Sequence, residues 1–279
     1  MRHGLLMLLL GLGLCGCTGL IFHPMHEHVR TPEEIGLAYR DVWFEAEDGV
    51  RLHSWFLPAE GERVGSILFL HGNAENISTH VASVAWMPAE GFDVLLLDYR
   101  GYGRSEGEPT LAGAHLDVEA ALGTLLAMPE VDPGRAAIFG QSLGGALAIT
   151  ALERSRHRDR VRALVVEGTP TSYRELAQEK LGGLWLTWAL QWPLALTIDD
   201  DYRPVDDIGS LGPLPVLIIQ GEDDTIVPAH HARSLLEAAG EPKTLWLIEG
   251  GGHIRALASA DVRDALADWL RTQLDAGDA

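Results

Sequence analysis

Ser142 lies in a short glycine-framed segment whose residue types suit nucleophilic chemistry. The sequence GQSLG at 140–144 follows the apolar run 136–139 and leads into the helix-like run 143–149. A strand, a sharp turn and a helix in this order would expose the serine hydroxyl, and the flanking glycines remove Cβ atoms where such a turn leaves no room. We therefore predict that Ser142 is a nucleophile, provided that a base and an orienting carboxylate lie beside it.

The orienting carboxylate is predicted just after the strand-like run 216–219. Residues 222–224 are all acidic. Their position places them at the carboxyl end of a sheet, where open α/β proteins bind ligands. We assign Asp224 to this role and keep Asp223 as the alternative, because spacing alone separates the two poorly. The remaining acid would have a turn or helix-capping role.

His253 is the predicted base. It follows the last strand-like run and the glycines at 250–252, which give the loop enough freedom to swing the imidazole back toward Ser142. His230 and His231 fall in a predicted helix after the acidic loop, and we expect both at the surface. The order Ser, Asp, His along the chain is one of the orders in which such sites occur.

Two backbone N–H groups are predicted to stabilise the oxyanion that forms when a serine attacks a carbonyl. One belongs to Leu143, directly after the nucleophile, and the other to the loop 70–75 after an early strand. Gly72 lets this loop turn closely, and Asn73 is a better candidate than Ala74 for the second donor. Loss of one such donor typically lowers turnover by about 10²- to 10³-fold.

A sheet must position these residues, and the chain alternates strand-like with helix-like runs. Asp41 to Ala46 and Val50 to Leu57 form a predicted antiparallel hairpin, with Asp48-Gly49 as the turn signal. Six further short apolar runs are predicted as buried strands: 66–70, 93–97, 136–139, 163–166, 216–219 and 244–248. The predicted fold class is α/β, with about eight strands in a mostly parallel sheet and helices on both faces.

The segment 170–205 departs from this alternation and is a candidate lid. Within the predicted helix 181–196, Trp185, Trp188 and Trp192 follow at spacings of three and four, so the three indoles share one face. The segment is either a helix packed on the sheet or a small helical lid whose aromatic face lines an acyl pocket.

The amino-terminal residues predict export and a membrane anchor. A short positive start is followed by an apolar run that is too short to span a bilayer, which is typical of a secretion signal. The run ends in LCGC at 14–17, which resembles the bacterial lipobox. This resemblance implies a lipoprotein signal peptide over 1–16 and a lipid anchor on Cys17, with an uncleaved apolar anchor as the alternative. Thr18 provides no aspartate-type retention signal, so we expect a location in the bacterial cell envelope, at the outer membrane facing the periplasm.

The rest of the chain is predicted as a tether over 17–38 and one catalytic domain over 39–279. His23, His26 and His28 lie in the tether, but their spacing fits no compact metal site, and we expect no metal there. The net charge of −19 opposes binding to nucleic acid or to anionic membrane surfaces.

Several motifs together resemble the alpha/beta-hydrolase family: HGNA at 71–74, DYRGYGRS at 98–105, GQSLG at 140–144, the loop 221–228 and the Gly252-His253 pair. The set is similar to the branch that contains bacterial membrane-associated serine hydrolases and the eukaryotic depalmitoylases. It extends over about 39–270. The resemblance implies a triad of Ser142, Asp224 and His253 and no cofactor, and it gives Ser105 a structural role.

The function predicted from these residues is hydrolysis of a small acyl ester or thioester through an acyl-enzyme. Two alternatives stay open. An amidase or peptidase would use the same triad, and a protein on the same fold could bind ligands without catalysis. The glycine-framed turn at Ser142 argues against the second alternative, because a scaffold has no need of a strained turn. The sequence leaves the oligomeric state open.

Overall fold

Residues 22–182, 191–198 and 200–275 are described by the structure, which is a computed structural model. The predicted signal peptide, Cys17, Trp185 and Trp188 lie outside the described residues.

The centre of the fold is an eight-stranded sheet. The described residues form ten strands, eight of which belong to this sheet: β1 (His23–Pro24), β2 (Arg40–Glu45), β3 (Arg51–Leu57), β4 (Gly65–Leu70), β5 (Ala74–Glu75), β6 (Phe92–Asp98), β7 (Ala136–Gln141), β8 (Val161–Glu167), β9 (Val216–Gly221) and β10 (Lys243–Ile248). The sheet has the order β10-β9-β8-β7-β4-β6-β3-β2, and β1 pairs with β5 separately. Within the large sheet only β3 runs against its neighbours. The predicted fold class and strand number are confirmed.

Helices cover both faces of this sheet. They are α1 (Ile77–Val84), α2 (Leu111–Ala127), α3 (Leu143–Arg154), α4 (Tyr173–Gly182), α5 (Gln191–Ala195), α6 (Pro204–Asp207), α7 (His230–Ala238) and α8 (Ala260–Asp275). Short 3-10 turns add Glu33–Ile35, Pro88–Glu90, Arg158–Arg160, Ile208–Leu211 and Ala256–Ala258.

Two apolar cores hold these layers together because successive side chains of a strand point to opposite faces. In β4, Ile67 and Phe69 join one core with apolar residues of α1 and α8. Leu68 and Leu70 join the other core with residues of α2, α3 and α7. All four side chains are fully buried, and burying each one stabilises the fold by about 1.5–3 kcal/mol. A rigid sheet flanked in this way fixes the loops at the carboxyl ends of its strands.

The predicted opening hairpin is present. Strands β2 and β3 pair antiparallel from Arg40↔Phe56 to Glu45↔Arg51. At the turn, Ala46 N–H donates to Val50 O at 2.9 Å, and Gly49 has a φ of 83°, which a residue with a side chain rarely adopts.

The amino-terminal segment 22–28, which we call the strap, is fastened to the domain. Phe22 is buried, and β1 pairs with β5 in the loop that was predicted to supply an oxyanion donor. The Nδ2 group of Asn76 donates to Met25 O at 3.0 Å and to Glu27 O at 2.8 Å, while its Oδ1 accepts from Ser78 N–H to cap α1. Contacts with residues far along the chain therefore hold the strap against the domain, and the tether over 17–38 stays a prediction.

The described part of the candidate lid contains α4 and α5, so the regular alternation does break here. In α5 the indole of Trp192 is exposed, whereas Tyr173 at the start of α4 is buried. The shared face predicted for the three tryptophans falls largely outside the described residues.

Candidate active site

The turn at Ser142 joins β7 to α3. Ser142 has φ 53° and ψ −114°, a strained conformation for a residue with a side chain, and its N–H donates to Glu167 O at 2.8 Å. A Cβ atom on Gly140 would overlap the carbonyl of Gly144, and one on Gly144 would overlap Leu70 O. The glycines at 140 and 144 are therefore required for the turn, as their spacing predicts.

His253 lies between Ser142 and Asp224. Its Nε2 is 3.1 Å from Ser142 Oγ, and its Nδ1 is 2.8 Å from Asp224 Oδ2. A neutral imidazole with its proton on Nδ1 donates to the carboxylate and presents an unprotonated Nε2 to the hydroxyl. The structure thus brings together the three side chains that the sequence predicts as a triad, in the geometry of a base-assisted nucleophile.

The structure favours Asp224 over Asp223 for contact with His253. Asp224 is buried, with its Oδ1 accepting the N–H groups of Ile226 and Val227 at 2.8 and 2.9 Å. Asp223 is exposed. Burial alone would raise the pKa of Asp224, but hydrogen bonds from His253, Val227 and Ile226 outweigh it and lower the pKa below its usual 3.8. Asp224 is therefore a carboxylate at neutral pH.

The two predicted oxyanion donors flank Ser142. Leu143 is the first residue of α3, where a helical N–H has no acceptor within its own helix. Across the turn, the position of a Cβ atom on Gly72 would lie 3.8 Å from Ser142 Cβ, so the loop carrying Asn73 passes close to the serine. The use of the Leu143 and Asn73 N–H groups remains a prediction.

His71 holds the loop that carries Asn73, a role that sequence reasoning missed. The side chain is fully buried, and burial lowers its pKa to about 3, so the imidazole is neutral. Its Nδ1 is 2.7 Å from Gly72 O, and a donated N–H fixes the direction of that carbonyl. Because the carbonyl of one residue and the N–H of the next point in opposite directions across a trans peptide, the Asn73 N–H is directed away from His71.

Tyr102 supports the same loop from the other side. Its hydroxyl donates to Asn73 O at 2.6 Å and lies 3.2 Å from the N–H of His23 in the strap. Ser105, for which we predict a structural role, donates to Asp98 O at 2.6 Å and accepts from His53 N–H at 2.8 Å. The motif at 98–105 therefore shapes the loop at 70–75.

A buried glutamate under the site was also missed. Glu167 ends β8 and accepts from Gln141 Nε2 at 2.7 Å and from Ala256 N–H at 2.9 Å. Burial raises its pKa above 4.5, and these two hydrogen bonds counteract part of that shift. Glu167 thus links the residue before Ser142 to the loop that follows His253. The sequence alone does not indicate this role, because a glutamate at the end of a strand is common.

His231 corrects a prediction. His230 is exposed, as expected, but His231 is fully buried on the inner face of α7. Its Nδ1 lies 2.8 Å from Thr171 Oγ1, so it packs against the start of the candidate lid.

A cavity of about 450 Å³ opens beside Ser142. Its walls come from the strap, the loop at 72–75, the elbow, the start of the candidate lid and the His253 loop. The lining residues are His23, Gly72, Asn73, Ala74, Glu75, His80, Ser142, Leu143, Pro170, Tyr173, Leu176, Ile226, His253 and Ile254. Several of these side chains are apolar, which suits an apolar group placed next to the serine hydroxyl.

Comparisons with known proteins agree with this fold and site. Residues 61–203 match the family model described as serine aminopeptidase, S33. The chain is 34% identical over 241 residues to the uncharacterized protein YfhR of Escherichia coli strain K12, which covers 84% of this chain and 81% of the relative. It is 35% identical over 218 residues to the alpha/beta hydrolase domain-containing protein WAV2 of Arabidopsis thaliana, with 75% and 69% of the two chains covered.

Among solved structures, the esterase Pf2001 of Pyrococcus furiosus superposes with a TM-score of 0.73 over 91% of this chain and 98% of its own, at 21% identity. A likeness at this identity supports the fold. Taken with the family model and the relatives, it shows that the chain is a hydrolase of the alpha/beta-hydrolase family. In the part of the chain that the structure describes, no helix combines the length and the apolar character needed to cross a bilayer.

Proposed function

We propose that the protein is a serine hydrolase that cleaves carboxylic esters or thioesters through an acyl-enzyme. The observation that carries this proposal is the position of His253, with Nε2 3.1 Å from Ser142 Oγ and Nδ1 2.8 Å from Asp224 Oδ2. Ser142 also has a strained backbone conformation and lies within reach of a base. Both features support a chemical role for this serine.

In the proposed first half-reaction, His253 Nε2 takes the proton of Ser142 while Oγ bonds to the acyl carbon. The carbonyl oxygen becomes an oxyanion that accepts from the N–H groups of Leu143 and Asn73. When the bond to the alcohol or thiol breaks, His253 returns its proton to that leaving group. Asp224 stays ionised throughout and stabilises the transient imidazolium.

In the second half-reaction a water molecule gives its proton to His253 and attacks the acyl carbon. The bond to Ser142 Oγ then breaks, Oγ recovers the proton and the carboxylic acid leaves. No step needs a metal or an organic cofactor.

The cavity supports an apolar acyl group as the part of the substrate that is recognised. Tyr173, Leu176 and Ile226 lie along it, and a largely apolar wall favours an acyl chain over a charged one. The first two come from α4, so the segment 170–205 is proposed to act as a lid that selects the chain.

Peptide or amide hydrolysis is the second candidate, because the matching family model describes serine aminopeptidases. The same three side chains would serve, with an amine as leaving group. Paired rates on an ester and an amide with the same acyl group separate the two candidates, and a higher kcat/KM on the amide would reject the ester proposal.

We propose that the protein is located in the bacterial cell envelope. A lipid on Cys17 would anchor it to the outer membrane, on the side that faces the periplasm. Mass spectrometry of the amino-terminal peptide would detect a diacylglyceryl cysteine at position 17. An unmodified Cys17 in the envelope fraction would reject the anchor without affecting the proposed chemistry.

The test of the chemistry is pre-steady-state hydrolysis of p-nitrophenyl butyrate and p-nitrophenyl laurate by the full chain. The wild type should give a burst of nitrophenol, and Ser142→Ala should lose it and lower kcat by at least about 10⁴-fold. Ser259→Ala, a serine outside the cavity lining, is the matched control and should keep the burst. Unchanged turnover by Ser142→Ala would overturn the proposal.

A further inference from the structure

A second group of chemically capable side chains lies beneath the strap and outside the cavity lining described above. His28 comes from the strap, His53 from β3 and Asp98 from the end of β6. One candidate ligand atom from each of the three lies within 4.8 Å of the other two. His28 Nε2 is 2.8 Å and His53 Nδ1 is 3.4 Å from Asp98 Oδ2.

This cluster has more buried acceptors than donors. His53 Nε2 is 2.6 Å from Asp41 Oδ1, so a neutral His53 donates there and turns an unprotonated Nδ1 toward Asp98. His71 donates from Nδ1 to Gly72 O, and its Nε2 has no hydrogen-bond partner among the described residues while it lies 3.9 Å from Asp98 Oδ1. Two nitrogen lone pairs therefore face one carboxylate.

Asp98 is fully buried, and its two carboxylate oxygens have different partners. One carboxylate oxygen, Oδ1, accepts the N–H of Ile77 at 3.0 Å. The other, Oδ2, is left to the imidazoles. A cation next to Oδ2 would be bound by this oxygen and by the lone pair of His53 Nδ1 together.

We propose that His28, His53 and Asp98 are the ligands of a divalent metal ion of the zinc class. Two imidazole nitrogens and one carboxylate oxygen form a donor set that Zn²⁺ accepts in proteins. With zinc–ligand bonds of about 2.0–2.2 Å, neighbouring donors of a tetrahedral site lie about 3.4 Å apart. The His53–Asp98 separation of 3.4 Å already meets this spacing, and the His28–Asp98 pair would open by roughly half an ångström.

The surroundings of His53 also fit a metal ligand. A ligating histidine commonly donates its other ring N–H to a carboxylate, which fixes the tautomer and the ring direction. Asp41 provides that carboxylate and is itself held by Trp55 Nε1 at 3.1 Å. The side chain of His28 is 12% exposed, so the cluster can be reached from solvent on that side.

Gly103 is part of the same arrangement. Its N–H donates to Met25 O in the strap at 2.9 Å. A Cβ atom at this position would overlap Asp98 Oδ2 and lie 2.6 Å from His28 Nε2. The absence of a side chain at Gly103 therefore lets the strap bring His28 to the carboxylate.

A second set of metal-capable groups, Glu179, His230 and His231, makes a weaker candidate. His230 is exposed, and His231 Nδ1 is occupied by Thr171. Glu179, His230 and His231 therefore serve as a control for non-specific binding of the metal ion elsewhere on the protein.

The test is isothermal titration of the chelator-treated full chain with Zn²⁺, together with elemental analysis after gel filtration. Wild type should bind one Zn²⁺ per chain at this site, and His28→Asn should lose it. His26→Asn is the matched control, because His26 lies in the same strap, is exposed and contributes no atom to the cluster. It should bind as the wild type does.

Two further variants test whether the metal ion binds at this cluster and not at the second set of groups. Asp41→Asn, which retains all three ligands, should weaken the affinity by about 10- to 100-fold. His230→Asn should leave it unchanged. Co²⁺ in place of Zn²⁺ should give visible ligand-field bands in the wild type and none in His28→Asn, and Zn²⁺ should raise the melting temperature of wild type but not of His28→Asn.

Absence of Zn²⁺ binding to the wild type would overturn the proposal. Equal affinities for wild type and His28→Asn, or loss of binding only in His230→Asn, would also overturn it. The titration needs no hydrolytic activity, so its outcome is separate from that of the acyl-ester experiment.

Discussion

The Ser142 site and the cluster under the strap use the same kinds of side chain differently. In both, a buried aspartate near the carboxyl end of a strand meets imidazole nitrogens at about hydrogen-bond distance. At the first site, the far nitrogen of His253 faces a hydroxyl and a cavity. At the second, the far nitrogen of His53 faces another carboxylate. The two histidine–aspartate pairs thus differ in the group that faces the far nitrogen, which is a hydroxyl at the first site and a carboxylate at the second.

The largest effect is expected from exchanging neighbouring acids in the loop after β9. Asp224→Asn removes the anion that fixes the His253 tautomer, so kcat should fall by about 10⁴-fold with little change in KM. Asp223→Asn should stay within a few-fold of wild type, because Asp223 is exposed. Steady-state kinetics on one ester measures both variants. A comparable loss in both would mean that the role assigned to Asp224 is not specific to it, and no loss in Asp224→Asn would mean that His253 does not depend on it.

A smaller effect, on stability, is expected from His71, which links the two regions. Its folded pKa of about 3 lies below the 6.5 of the unfolded chain. Between pH 6.5 and 3 the unfolded state therefore binds a proton that the folded state does not. Stability should fall as the pH falls through this window, by up to about 1.4 kcal/mol per unit from this residue.

Urea unfolding at a series of pH values tests whether the free energy of unfolding falls as the pH falls. His71→Asn should unfold with a shallower pH dependence than wild type. His115→Asn is the comparison, since burial lowers the pKa of His115 only to about 4, and its contribution ends there. An unaltered pH dependence in His71→Asn would show that the pKa of this imidazole is the same in the folded and unfolded states.

The smallest effect is expected from Tyr102→Phe, which releases the carbonyl of Asn73. Loss of the 2.6 Å hydrogen bond should cost about 1 kcal/mol of stability and lower kcat several-fold through the looser loop, with KM unchanged. Tyr202→Phe, in which the ring stacks on His115, is the control. A fall in stability without any fall in kcat would separate Tyr102 from the oxyanion loop.

Much of the fold and the proposed triad could be predicted from sequence because the signals are local. Ser142 follows a strand and precedes a helix within a few residues, and the hairpin turn is set by Asp48-Gly49. Strand runs at 66–70 and 93–97 fall inside β4 and β6. Periodicity and turn chemistry act over such short stretches.

Other features depend on contacts between distant parts of the chain. His28 and Asp98 are 70 positions apart, and no local pattern in the strap predicts their contact. The choice between Asp223 and Asp224 depends on which carboxylate turns toward His253, 29 positions beyond Asp224. His231 is buried because α7 presents it to Thr171, 60 positions earlier.

The backbone at Ser142 also limits how this site could evolve. At φ 53° and ψ −114° the Cβ atom is already crowded by its own main chain. A threonine would add a branch at that carbon and a methyl group in the same narrow space, whereas cysteine or aspartate would not. Descendants of this chain could therefore carry a thiol or a carboxylate at position 142 while keeping the turn, whereas a secondary alcohol would not fit.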